Sequence, residues 1–130
     1  MTHAQKPRLT VTILKTGSFT RWQAKARIAD ESLRRAVAEM QRGLIDADLG
    51  GGLVKKRVAR AGSGKSAGYR TLLATNKQDR WIFVYGFAKN VRDNIAPQEL
   101  RALRFLAKTL LALRADALQK ARAHGAMIEV

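Results

Sequence analysis

At 130 residues, with 46% apolar side chains, the chain has the length of one ordinary domain, residues 1–130, and enough apolar surface for a real core. Its 25 Lys and Arg against 10 Asp and Glu leave a formal charge of +15 and a pI near 11.3, which makes polyanions the leading class of partner. The lack of cysteine, with only His3 and His124 as histidines, excludes a disulfide framework, a thiolate nucleophile and a multi-histidine metal site.

In chain order, Arg8 to Leu14 alternates polar and β-branched residues and predicts a strand that ends at Gly17 and Ser18. Ser18 is the expected N-cap of a short helix carrying Phe19, Trp22 and Ala26. Asp30 is expected to cap a second helix with the stripe Leu33, Val37, Met40, Leu44 and a stop at Gly43. Residues 29–54 hold five of the acids and read as an outward face. After Gly50-Gly51-Gly52 the period becomes two. Leu53 to Arg60 reads as a strand with Val54, Lys56 and Val58 on one side and Lys55, Arg57 and Ala59 on the other. A loop, Gly62 to Gly68, leads to a strand at Tyr69 to Thr75, and Asn76 to Asp79 has turn composition. Arg80 to Phe87 is the strongest strand, and strict alternation places Trp81, Phe83, Tyr85 and Phe87 together on one side. Pro97 opens one long helix with Glu99 in its first turn, running to Gly125, and Met127 to Val130 closes as a last strand. The expected fold is α+β: an antiparallel sheet, made of the N-terminal strand and a three-strand meander, packed with two N-terminal helices and one long C-terminal helix.

Residues 55–92 concentrate the charge, with ten basic groups against the single acid Asp79. Ala59 to Ser66 matches the permissive phosphate-loop pattern. However, a helix must follow such a loop to present its amides to phosphate, and here an alternating β-type run follows instead. The glycines read better as backbone freedom that presents Lys65 and Ser66 to a nucleic-acid backbone. In a meander Lys55, Arg57, Lys65, Arg70 and Lys89 converge, and cations without carboxylate partners suit a phosphodiester and the extra charge of its transition state. A lysine among other cations is pushed toward a lower pKa, which suits general acid–base work without histidine. RNA supplies its own 2′-OH nucleophile, so the expected chemistry uses no metal and no cofactor. Lys56, Arg60, Lys77, Arg80, Tyr85 and Arg92 join Lys55 and Ser66 as the expected RNA-binding set.

The blocks Leu49 to Ala59, Gly64 to Arg70 and Val84 to Asn90 together resemble the HigB-like branch of the RelE/ParE superfamily of type II toxin–antitoxin toxins. The resemblance spans roughly residues 8–115. It implies a RelE-type domain acting as an endoribonuclease on messenger RNA at the ribosome and held inactive by a cognate antitoxin. By position it implies catalytic roles for Arg57, Lys65, Arg70 and Lys89. Where the family commonly has Gly-Lys-Ser-Gly-Gly-Tyr-Arg this chain has Ala67, which would strain the loop if that position needs positive φ. The alternatives are a ParE-like inhibitor of DNA gyrase and a noncatalytic RNA- or ribosome-binding protein, since fold membership does not settle chemistry. No apolar run reaches the roughly 18 residues of a membrane span, and the first residues lack a signal-peptide core, so a cytoplasmic protein with no membrane partner is expected.

Overall fold

A computed structural model describes residues 10–59, 68–92 and 94–130. In chain order it forms β1 (Thr12–Thr16), α1 (Gly17–Ala26), α2 (Asp30–Gln41), β2 (Ala47–Gly50), β3 (Leu53–Val58), β4 (Tyr69–Thr75), β5 (Arg80–Ala88), α3 (Pro97–Ala112), α4 (Ala115–Ala123) and β6 (Met127–Glu129). The strands make one sheet of order β2-β3-β4-β5-β1-β6. The meander β3-β4-β5 is antiparallel as expected, but β1 lies parallel to β5, so the sheet is mixed. The chain leaves β1 through two helices and three strands before β5 returns beside it, and that long crossover is what a parallel pairing needs.

Helices cover both faces of the sheet. Against α1 and α2 lie Val54, Leu73, Trp81 and Phe83, all buried with Phe19, Leu33, Val37 and Met40. Against α3 and α4 lie Leu53, Leu72, Ile82, Val84 and Phe87 with Ala107, Leu110 and Leu118. The aromatic series of β5 is therefore divided, contrary to strict alternation. Leu72 pairs with Tyr85 and its neighbour Leu73 with Phe83, so Val84 is an extra residue with no partner of its own. This β-bulge reverses the facing of everything after it, leaving Trp81 and Phe83 with α1 and α2 and turning Tyr85 and Phe87 to the other side.

Local chemistry accounts for the other departures. Thr16, not Ser18, caps α1, its hydroxyl accepting from the Phe19 N–H at 3.1 Å. Ala29 rather than Asp30 is the N-cap of α2, because the Asp30 carboxylate is taken by the Lys15 ammonium at 2.9 Å and the Gln23 amide at 2.7 Å. Leu44 lies past the end of α2 and is 55% exposed. The long C-terminal helix is two helices. Leu113 adopts an extended conformation, and the Arg80 guanidinium takes the carbonyls of Leu110 at 3.0 Å and Leu113 at 2.7 Å. Carbonyls at a helix end are short of donors, and Arg80 adds to the Leu113 N–H, which reaches the Leu110 carbonyl at 3.4 Å. Of the five acids of residues 29–54, Glu31, Asp46 and Asp48 are exposed as expected, whereas Glu39 turns inward to the buried Lys56 and Asp30 is half-buried against Lys15.

Gly86 sits directly under Trp22, and a Cβ there would fall 2.2 Å from the indole ring. Gly86→Ala should therefore destabilise the fold by about 1–3 kcal/mol, as overpacking does. Trp22→Leu in the same chain should recover part of the loss, and urea unfolding of the single and double variants measures both.

Candidate nucleic-acid interface

The register of the meander builds the site. Arg57 on β3 lies opposite Arg70 on β4, and Arg70 lies opposite Phe87 on β5. Lys55 and Tyr85 flank Leu72 one step along the same face. α3 starts beside Tyr85 and runs toward Gly52 and Arg80, so Arg57, Arg70 and Phe87 lie beyond its first turn. Arg57 is exposed, Lys55 and Tyr85 are half-buried, and Arg70 is buried at 7%. Lys89 is exposed two residues after Phe87, its backbone N–H reaching the Gly68 carbonyl at 3.3 Å.

Two like charges directly opposite on a sheet repel, so the arrangement needs compensation. Asp46, just before β2, supplies it for Arg57: one oxygen accepts from the backbone N–H at 2.7 Å and the other from Nε at 2.9 Å. Partial burial works against the Asp46 charge, but these bonds and nearby Lys56 hold its carboxyl below the ordinary range. On the other side, Arg92 lies with its guanidinium carbon 5.7 Å from the centre of the Phe87 ring. It makes a forked pair with Glu99, Nη2 to Oε1 at 2.6 Å and Nη1 to Oε2 at 3.2 Å, and donates to the Tyr85 hydroxyl at 3.1 Å. The Tyr85 hydroxyl donates in turn to Glu99 Oε2 at 3.2 Å. The Arg92 bond, with help from the Ala96 N–H, draws the Glu99 carboxyl down to about 2. Burial and the Glu99 charge push the Tyr85 phenol up.

The structure thus gathers Lys55, Arg57, Arg70, Tyr85, Lys89 and Arg92 at one end of the meander. It does not bring three other expected residues there. Lys56 points to the opposite face, 3% exposed, and binds Glu39 at 2.8 Å and the Leu44 carbonyl at 2.8 Å. Lys77 stands at the far β4–β5 turn, paired with Asp48 at 2.7 Å. Arg80, at the same far end, caps α3. Arg60, Lys65, Ser66 and Ala67 lie outside the described residues. Sequence reasoning missed Asp46 and Glu99. Recognising β2 would have found the first, because pairing Ala47 with Lys55 brings Asp46 beside Arg57. Among the described residues no group of three His, Cys, Asp or Glu could hold a metal ion, and no helix is long and apolar enough to cross a membrane.

A carboxyl held at about 2 that unfolds to an ordinary 4.5 stabilises the fold above pH 4.5 and loses that contribution as pH falls toward 2. NMR titration of Glu99 should therefore give a midpoint near 2 in the wild type. Arg92→Ala should return it toward 4.5, and it should remove this part of the acid sensitivity of unfolding.

Comparison with curated proteins gives no match. A family model described as the RelE toxin of the RelE/RelB toxin–antitoxin system matches residues 11–130, nearly the whole chain and all ten elements. The chain belongs to the RelE toxin family, which brings with it an antitoxin partner.

Proposed function

We propose that this toxin is a ribosome-dependent endoribonuclease of the HigB-like kind, cutting messenger RNA in the cytoplasm by attack of a 2′-OH on the adjacent phosphate. The observation that carries the reading is the direct cross-strand placement of Arg57 and Arg70, with Lys55 on the same face and Lys89 at the strand end. In the reaction the O2′–P bond forms and the P–O5′ bond breaks, leaving a 2′,3′-cyclic phosphate and a 5′-hydroxyl. Arg70 and Arg57 are suited to hold the phosphate oxygens and the charge that grows on them in the phosphorane-like transition state. Lys65 and Lys89 are the proposed proton carriers, one taking the 2′-OH proton and the other protonating the departing O5′. Lys55, Arg60, Ser66, Tyr85 and Arg92 are assigned to RNA binding. The route needs no metal, because the guanidinium groups supply the charge a cation would.

The test is single-turnover cleavage on programmed ribosomes, with binding measured in parallel over a salt series. Arg70→Ala should cost on the order of 100-fold or more in rate. Arg70→Lys, which keeps the charge but loses the fork, should cost less and guards against a folding artefact. Lys77→Ala, at the far end of the sheet, should change rate and affinity by no more than about twofold, whereas Lys55→Ala should reduce the salt dependence by roughly one phosphate. Cleavage of intact substrate should survive EDTA. Equal, purely affinity-based losses from Arg70→Ala and Lys77→Ala would leave only electrostatic binding and defeat the catalytic reading.

A further inference from the structure

Glu99 makes more contacts than a helix-starting glutamate requires. At the third position of α3 a carboxylate complements the helix dipole and can accept one N–H of the first turn, here that of Ala96 at 3.2 Å. Three further donors converge on it from outside the helix: Nη2 of Arg92 on Oε1, and Nη1 of Arg92 with the Tyr85 hydroxyl on Oε2. An ionised carboxylate offers about four acceptor positions, so Glu99 is saturated. It has no acceptor position left for a substrate, and its charge would repel an incoming phosphate.

The residues it holds belong to the cationic end of the sheet. Tyr85 has its proton committed to Glu99 and its oxygen accepting from Arg92, so its side chain cannot swing away, nor its hydroxyl rotate, without breaking a bond. Arg92 is fixed further by Nε on the Asn94 carbonyl at 2.9 Å and by its position over Phe87, the register partner of Arg70. One carboxylate therefore ties β5, the segment after it and the first turn of α3 around a face shared with Arg57 and Arg70. We propose that Glu99 is a positioning residue of the toxic site: it fixes the Tyr85 ring and the Arg92 guanidinium beside the arginine pair and does not itself touch the substrate. This rests on the reading of the Arg57–Arg70 face as that site.

The test compares the wild-type chain with Glu99→Gln, Glu99→Asp and, as a control on the remote β6 edge, Glu129→Gln. Growth arrest on induction at matched soluble protein, single-turnover cleavage on programmed ribosomes and ribosome affinity are measured for each. The ionisation of Tyr85 is followed by NMR in a Tyr69→Phe background, which removes the only other tyrosine. Because Tyr85 and Arg92 are the RNA-binding groups that orient the bound strand beside the arginine pair, Glu99→Gln should slow cleavage about tenfold, a cost expected of misplaced site groups, and weaken ribosome affinity by clearly less than that. Tyr85 should ionise at lower pH once the carboxylate beside it is gone. Glu99→Asp should restore part of the rate, and Glu129→Gln should behave as wild type. An unchanged cleavage rate, an unmoved Tyr85 titration or a loss confined to ribosome affinity would each overturn the proposal. If the wild type arrests growth without cutting RNA, the ribonuclease reading fails alone; relief of arrest by Glu99→Gln then supports the positioning role and persistence of arrest overturns it. A wild type that does neither overturns both.

Discussion

The placement of the site depends on one surplus residue in β5. Because Val84 has no partner on β4, the strand changes facing halfway along. Trp81 and Phe83 become core, fully buried against Phe19, with the Phe19 and Phe83 rings 5.1 Å apart. Tyr85 and Phe87 turn to the face that carries Lys55, Arg57 and Arg70. The same reversal aims Gly86 at Trp22, and only a residue without a side chain leaves room for that indole. A regular strand would have buried all four aromatics on one face and left the arginines with no aromatic neighbour.

The high net charge is organised by a few carboxylates. Asp46 holds Arg57, Glu99 holds Arg92, and Glu39 holds Lys56 within the α2 side of the sheet. Local neutralisation lets Arg57 and Arg70 stand opposite each other, where bare like charges would push the strands apart. The basic residues thus divide by geometry. Lys55, Arg57, Arg70, Lys89 and Arg92 gather at one end of the meander, while Lys77 and Arg80 serve the turn and the end of α3 some six residues away along β4.

Much of this was legible in the sequence. β3, β4 and β5 announced themselves by alternation, and the meander they imply already brings Arg57, Arg70 and Lys89 together. The burial of Lys56 was latent in the same pattern, since it alternates with Val54 and Val58 rather than with Lys55 and Arg57. Other features carry no local signature. β2 is four residues, Ala-Asp-Leu-Gly, none of them β-branched or aromatic, and only its pairing with β3 makes it a strand. A bulge is a register event between two strands and leaves no mark in one of them. The break between α3 and α4 falls within leucine-rich helix-forming sequence, and the side chain that meets its carbonyls is Arg80, thirty residues before Leu110. Glu99 looks from sequence like any acid in a first turn, and its role arises from Tyr85 and Arg92, which the fold brings to it.

The central claim is that a cation-lined, metal-independent site turns the RNA's own 2′-hydroxyl on its backbone, and the ends of the cut RNA test it most directly. Transcripts recovered after induction of the wild-type chain should carry 5′-hydroxyl and 2′,3′-cyclic phosphate ends at new internal positions. New ends bearing 5′-phosphate would mean that water was the nucleophile, and intact transcripts together with gyrase-cleaved DNA would mean a different target; either result contradicts the account.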